Sequence, residues 1–183
     1  MVSSLWTGCI PKDTTPDIVA VQEPWSNQGK PGTRITTDHF DLYTTIEDDQ
    51  LLDYLPSFLE ATYRLYAELI PATGEDSERL QTYLFSHKFE WLSFTKRMFP
   101  EQYDVYSRVQ VAGYAKDNLC VVYNIRPRTY TLSVIAHEGM HQYFAARFDQ
   151  RIPAWLNEGL ACYCESFDLA TSTPKFKPTQ NAT

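Results

Sequence analysis

The sequence has a deficit of positive charge and no long apolar run. Lys and Arg together number 16 against 23 Asp and Glu, so the formal net charge is −7 and the pI is about 5.0. Because nucleic-acid affinity comes largely from Lys and Arg that neutralise phosphates, we expect no DNA or RNA partner. No stretch of about 18 apolar residues occurs, so we expect no membrane span either.

Cysteine is also scarce. Cys9, Cys120, Cys162 and Cys164 show no Cys-x-x-Cys spacing, and a disulfide framework is usually read from denser cysteine in a smaller chain. Cys162 and Cys164 lie two positions apart in a predicted helix and therefore point about 200° apart, so they should not pair with each other. We expect the four to be small buried side chains or free thiols.

The chain is long enough for one domain. It has 183 residues, of which 43% are hydrophobic and 14% aromatic. Residues 1–32 are rich in Pro, Thr, Gly and Asn and predict an extended arm. Within it, Leu5–Cys9 resembles the end of a bacterial lipoprotein signal, the one indication of a secreted or cell-envelope location, but too few residues precede it for an apolar core of about 7 to 15 residues. A single domain is predicted for residues 33–170, followed by a loose polar tail at 171–183.

Periodicity within residues 33–170 predicts an α+β domain. Apolar residues at three- and four-residue spacing after Asp48 and Asp49 predict a long amphipathic helix that ends at Pro71. Farther along, Asp117-Asn118 separates two β-like runs, which predicts a hairpin. The other predicted elements are strands at 35–46 and 80–85, a helix at 88–99, and hairpin strands at 109–114 and 119–123.

The most informative segment is His137-Glu138-Gly139-Met140-His141, an HExxH motif. On a helix, residues four apart lie about 40° apart around the axis, so both imidazoles can face one ion. Glu138 can then reach a metal-bound water without being a ligand itself. The motif therefore predicts two zinc ligands, His137 and His141, and a general base, Glu138.

The helix that bears this motif is predicted to begin after Pro127, with Thr129 or Thr131 as its N-cap. We expect the two imidazoles to belong to an inward-facing stripe. The stripe consists of Val134, His137, His141, Phe144 or Ala145, and Phe148. Gly139 costs about 1 kcal/mol of helix propensity relative to Ala, which indicates a close neighbour, and we expect it to lie beside the metal.

A third ligand is expected on the next helix. After a proline, the residues around Glu158 predict a second helix. Its expected packing face is Leu156, Leu160, Tyr163 and Phe167. The interval from His141 to Glu158 is long enough to end one helix, turn, and return a carboxylate to the ion. Asp149 and Glu165 are the alternatives, but Asp149 should still belong to the first helix or its cap, and Glu165 lies two turns beyond Glu158. We therefore expect one Zn²⁺ ion held by His137, His141 and Glu158.

Two segments also carry a family resemblance. HEGMHQYF followed by IPAWLNEGLACYCE resembles the gluzincin clan of zinc peptidases, in which the third ligand is a Glu on the helix after the motif. The LNEGLA part is similar to the aminopeptidase branch, and residues 36–166 resemble the small bacterial peptidase MA-like domains more closely still. This resemblance implies a zincin-like α+β fold, in which a small mixed sheet supports the HExxH helix and the helix of the third ligand.

The expected function is zinc-dependent hydrolysis of peptide bonds by a metal-activated water, with Glu138 as the general base. The substrate would be a peptide or protein, and the hairpin within residues 110–123 could offer an edge strand to it. Tyr114, Tyr123 and Tyr163 are candidate donors to a developing oxyanion. The alternative is a catalytically inactive scaffold of the same fold that binds zinc or peptides.

Overall fold

A computed structural model describes residues 18–72, 78–108, 112–149, 152–168 and 174–177. The Leu5–Cys9 motif and most of the predicted tail lie outside these ranges. The elements, in chain order, are β1 (Val21–Asn27), β2 (Lys30–Thr36), β3 (Phe40–Thr44), α1 (Asp49–Leu69), β4 (Leu80–Phe85), α2 (Lys88–Met98), α3 (Tyr103–Arg108), β5 (Gly113–Lys116), β6 (Leu119–Tyr123), α4 (Arg128–Arg147), α5 (Ala154–Cys164), β7 (Phe167–Asp168) and β8 (Lys175–Phe176).

Six strands form one mixed sheet in the order β1-β2-β3-β4-β6-β5. Strands β3, β4 and β6 run parallel at its centre, whereas the β1–β2, β2–β3 and β5–β6 pairs are antiparallel. β5 is therefore an edge strand, paired with β6 on one side. β7 and β8 form a separate two-stranded sheet. The mixed sheet and the five described helices confirm the predicted α+β class.

Helices cover both faces of the sheet because the central strands present apolar side chains in alternation. Leu80 and Leu84 of β4 belong to the larger core, which also contains buried residues of α1, α4 and α5. Phe85 belongs to a smaller core on the opposite face, where it packs with Trp91 and Phe94 of α2. Helix α4 thus lies against the sheet with α1 and α5 as its neighbours.

The long helix predicted after Asp48 is confirmed. The Asp48 side chain accepts a hydrogen bond from the Leu51 N–H at 3.2 Å and so caps α1, which ends at Leu69 before Pro71. Arg128, the first residue of α4, donates to Asp48 at 2.6 and 2.8 Å. The starts of the two helices are therefore held together.

Three further predictions agree with the structure. The strand expected at 80–85 is β4, and the helix expected at 88–99 is α2. The hairpin is formed by β5 and β6, with Asp117 and Asn118 at φ values of 49° and 65°, as a tight two-residue turn requires. Its first strand lies at Gly113–Lys116 and not at the predicted 109–114, of which residues 109–111 are outside the described ranges. Helix α3 was not predicted, since its six residues show no clear helical periodicity.

The single strand predicted at 35–46 is wrong, because the chain turns between β2 and β3. Thr37 N–H donates to the Phe40 carbonyl at 2.9 Å across this turn. Glu60 of α1 accepts from the His39 backbone N–H at 3.0 Å, and its other oxygen lies 2.7 Å from His39 Nδ1. These contacts hold the residues of the turn against α1.

The predicted boundary between an arm and a domain at residue 33 falls inside β2. Residues 21–27 pair along their whole length with residues 30–36, so they extend the sheet instead of forming a separate arm. Gln28 and Gly29 have φ values of 51° and 85° and form the tight turn of this hairpin. Pro24 is tolerated because β1 is at the edge of the sheet.

The predicted capping of α4 by Thr129 or Thr131 is also wrong. Pro127 occupies the N-cap position and no side chain caps the helix. Thr131 is buried, and its Oγ1 accepts from the Ile125 N–H at 2.9 Å. This threonine therefore fixes the connection between β6 and α4.

The expected packing face of the second helix is partly wrong. The buried residues of α5 are Ala161 and Cys164, whereas Leu160 is half-buried and Phe167 lies in β7, from where it packs on the same core. Within the ranges that the structure describes, no helix combines the length and apolar character needed to cross a membrane.

Candidate metal centre

The imidazoles of His137 and His141, one helical turn apart on α4, lie close together. The Nε2 atoms of His137 and His141 are 3.3 Å apart, and the rings are nearly perpendicular. Their side chains are 20% and 16% exposed, so both rings are shielded from bulk water on most sides. Both rings thus direct the same nitrogen toward one point.

Glu158 of α5 brings a carboxylate to this point. One of its oxygens lies 3.6 Å from Nε2 of His137 and the other lies 3.6 Å from Nε2 of His141. One ligand atom from each of the three residues lies within 4.8 Å of the other two, which is compatible with a shared ion. The structure thus brings together the three side chains that the sequence predicts as ligands.

Glu165 contacts the opposite side of the His137 ring. Its Oε1 lies 2.6 Å from Nδ1 of His137, and its backbone carbonyl accepts from Ser133 Oγ at 3.0 Å. An ionised carboxylate can only accept, so the proton of the neutral ring lies on Nδ1 and the lone pair of Nε2 faces Glu158 and His141. Among the described residues, Asp149 joins neither of the two candidate metal clusters.

The role of Glu165 was missed at the sequence level, where it was an alternative ligand. The available signal is its distance of seven residues from Glu158, which is two helical turns and places both side chains on one face of α5. Spacing alone does not reveal which ring nitrogen such a side chain contacts.

Glu138 lies outside the cluster of three ligands and toward the edge strand. Burial raises the pKa of its carboxyl, while His137, His141 and a hydrogen bond from the Ala115 N–H lower it; the net pKa lies above the ordinary value of 4.5. The carboxylate is therefore held between the histidines and β5. From this position it can exchange a proton with a group bound beside the histidines.

The histidine stripe does not face the core, in contrast to the prediction. The buried face of α4 is made by Leu132, Ile135, Ala136, Gly139, Met140 and Tyr143. His137 and His141 lie beside this face and are half-buried. Helix α5 packs beside α4 and brings Glu158 to this half-buried side of the helix.

Gly139 does not lie beside the ligands but against α1. A Cβ atom at this position would come within 2.6 Å of the Tyr66 hydroxyl oxygen. That hydroxyl donates to the Ala136 carbonyl at 2.7 Å. The predicted close neighbour exists, but it is a buried tyrosine and not a metal ion.

Two cavities flank the histidine pair. The first has a volume of about 210 Å³ and mainly apolar walls, lined by Ile125, Tyr130, Ser133, Val134, His137, Glu138 and Glu165. The second has about 410 Å³ and is lined by Ala115, Lys116, Asp117, Asn118, His141, Gln142, Ala145, Asn157 and Glu158. We call them the apolar cavity and the polar cavity. His137 lines the apolar cavity and both His141 and Glu158 line the polar cavity, and we call the two cavities together the cleft.

None of the three tyrosines proposed as oxyanion donors lines either cavity in the part of the chain that is described. Tyr114 is buried in the smaller core with its hydroxyl 3.0 Å from Thr95 Oγ1, and burial raises the pKa of its phenol. Tyr123 packs against the same core, and Tyr163 lines a separate cavity. Tyr130, by contrast, lines the apolar cavity together with His137 and Glu138.

In comparisons with known proteins, no family model, no curated protein and no solved structure matches this chain.

Proposed function

We propose that this protein is a zinc-dependent peptidase of the gluzincin type with a zincin-like fold. His137, His141 and Glu158 would hold the ion, and Glu138 would act as the general base. The observation that carries the proposal is the convergence of Nε2 of His137, Nε2 of His141 and a Glu158 carboxylate oxygen on one point, with a second, half-buried carboxylate beside them that is not part of the cluster.

The donor set fits zinc in a catalytic site better than in a structural one. Two imidazoles and one carboxylate are three protein ligands, whereas structural zinc sites usually have four, often Cys. The hydrogen bond from His137 Nδ1 to Glu165 leaves the lone pair of Nε2 free to coordinate. When bound, zinc would supply a Lewis acid that polarises a carbonyl group and activates water.

Glu138 supplies the proton transfers of the proposed reaction. Its carboxylate would take a proton from the attacking water and later give it to the leaving amine. Because burial raises its pKa, the group is a stronger base than an exposed glutamate. The Ala115 N–H donates a hydrogen bond to the Glu138 carboxylate. The general base therefore contacts β5, the strand that would also bind the substrate.

Strand β5 defines a direction for an extended substrate. At its start, a Cβ on Gly113 would lie 2.9 Å from Val134, a residue of the apolar cavity, and at its end Lys116 lines the polar cavity. A peptide paired antiparallel to β5 would therefore run from the polar to the apolar cavity. The residue that follows the scissile bond would place its side chain among Ile125, Tyr130 and Val134.

Hydrolysis of a mixed peptide library tests the proposal. We expect cleavage that stops on chelation and returns with Zn²⁺, and a loss on the order of 10²-fold or more for Glu138→Gln, which retains the size of the side chain but cannot accept the proton. Zinc content should be the same in this variant as in the parent chain, because Glu138 belongs to neither candidate metal cluster. Full activity of Glu138→Gln, or hydrolysis without metal, would exclude the proposed mechanism.

A further inference from the structure

We infer that a second divalent cation of soft character binds next to the first and inhibits the protein, with Cys162 Sγ, the Glu165 carboxylate and Nδ1 of His137 as ligands. This site uses the opposite side of the His137 ring from the proposed catalytic ion. The inhibition rests on the proposed function, whereas the binding of the second ion does not.

The three side chains already lie together. The ligand atoms of His137, Cys162 and Glu165 all lie within 4.8 Å of one another, and Glu165 Oε1 is 2.6 Å from Nδ1 of His137. Cys162 is in the last turn of α5, Glu165 is its C-cap residue, and Ser133 binds the Glu165 carbonyl. Two adjacent helices therefore hold the site, and small side-chain rotations would suffice to close it on an ion.

The site is open to ions from solution. Cys162 and Glu165 are both exposed, and Cys162 is a free thiol. Cys164, two positions along, is buried in the larger core and points away from the site. Of the two cysteines of α5, Cys162 is therefore the one whose thiol can coordinate an ion at this site.

The chemistry of the three ligands selects the kind of ion. Thiolate, imidazole and carboxylate together suit Zn²⁺, Co²⁺ or Cd²⁺, whereas Mg²⁺ and Ca²⁺ prefer all-oxygen sites. Binding releases two protons to solvent, one from the Cys162 thiol and one from Nδ1 of His137, and Glu165 changes from a hydrogen-bond acceptor to a ligand. The His137 ring would then bridge the two ions through its two nitrogens.

Occupation of this site would affect the first one in two ways. Glu165 would no longer accept the Nδ1 proton of His137, a contact that orients the ring. In addition, His137 and Glu165 form part of the wall of the apolar cavity, so the second ion would alter the place proposed for a substrate side chain. Excess Zn²⁺ should therefore lower the activity that the first Zn²⁺ supports.

Titration of the metal-free full chain with Co²⁺ tests the site directly. A Cys9→Ser background removes the thiol near the N-terminus. We expect two equivalents of Co²⁺ to bind and a thiolate-to-cobalt charge-transfer band to appear in the near ultraviolet. Cys162→Ser should bind one equivalent without this band, while Cys164→Ala, the matched control on the same helix, should retain both.

A second variant separates this proposal from the proposed function. Glu158→Gln should weaken binding at the first site but keep the charge-transfer band, because the ligands of the second site are unchanged. Absence of the charge-transfer band in the parent chain, or a band that persists in Cys162→Ser, would overturn the second site whatever the peptidase assays show. With both sites intact, excess Zn²⁺ should inhibit hydrolysis by the parent chain, and Cys162→Ser should lose this inhibition; equal inhibition of both would show that the ion acts elsewhere.

Discussion

At the scale of single residues, the site depends on which nitrogen of His137 is free. Glu165 accepts from Nδ1 and so directs Nε2 to the ligand cluster. This contact joins the end of α5 to α4. Sequence spacing could place Glu158 and Glu165 on one helix face, but it could not show that they lie at opposite sides of the His137 ring. The convergence of His137, His141 and Glu158 was predictable because each belongs to a periodic pattern, but the partner of Nδ1 was not.

Loss of the Glu165 carboxylate should weaken the first metal site. We expect Glu165→Ala to lower zinc affinity about 10- to 100-fold, the usual effect of removing a hydrogen-bond partner from a metal-bound histidine. Competition with a chromophoric chelator measures this change. Asp149→Asn is the control, because Asp149 belongs to neither cluster. An unchanged affinity in Glu165→Ala would mean that the 2.6 Å contact does not orient the ring.

The apolar cavity should determine which residue follows the scissile bond. Val134→Phe would fill part of the space of about 210 Å³. We expect kcat/KM to fall about 10-fold or more for peptides with Leu or Phe at that position, and to change little for peptides with Ala. Zinc content and thermal unfolding check that the variant folds. Equal losses for all peptides would contradict the assignment of this cavity.

At the scale of elements, helix α1 and strand β4 could be predicted because Asp48, Pro71 and the apolar pattern of residues 80–85 are local signals. The β1–β2 hairpin could not, since β1 is mostly exposed and shows no apolar alternation, and its pairing with β2 extends the sheet at its edge. The same limit applies to the face of α4 that becomes buried. That face is chosen by Tyr66 of α1 and by α5, which lie far away in the sequence.

The contact between α1 and α4 predicts that the effect of Gly139→Ala on the free energy of unfolding depends on the Tyr66 hydroxyl. Gly139→Ala should destabilise the protein by about 1–3 kcal/mol, because the added methyl group meets the Tyr66 hydroxyl at 2.6 Å. In a Tyr66→Phe background the oxygen is absent, and the gain in helix propensity of about 1 kcal/mol should make the same change neutral or stabilising.

Urea unfolding of the four proteins in this double-mutant cycle measures both effects. Tyr66→Phe alone should cost about 1 kcal/mol through the lost hydrogen bond. A Gly139→Ala penalty of the same size in both backgrounds would show that Tyr66 is not the obstacle.

At the scale of the whole molecule, the buried Glu60 carboxylate should contribute to the dependence of stability on pH. Burial raises the pKa of Glu60, but hydrogen bonds from His39 and Thr37 outweigh it, so the pKa lies below its ordinary value of 4.5. A lowered folded-state pKa stabilises the protein above the unfolded value, and this stability is lost as pH falls through the folded value.

Glu60→Gln should therefore lower the free energy of unfolding at pH 7 by about 1–3 kcal/mol, and the difference should shrink below about pH 4. Urea unfolding at both pH values measures it. Glu68→Gln, which changes an exposed carboxylate on the same helix, is the control. A difference that grows on acidification would contradict the assigned direction.

The whole account depends on one ion held between α4 and α5. A crystal structure of the zinc-loaded protein, with anomalous data collected on both sides of the zinc absorption edge, tests this most directly. We expect a strong peak within about 2.0–2.2 Å of Nε2 of His137, Nε2 of His141 and a Glu158 oxygen, separate from any ion bound at Cys162 and Glu165, with Glu138 not coordinated. A structure in which Glu158 points away from the histidines, or in which no peak lies between them, would contradict the account.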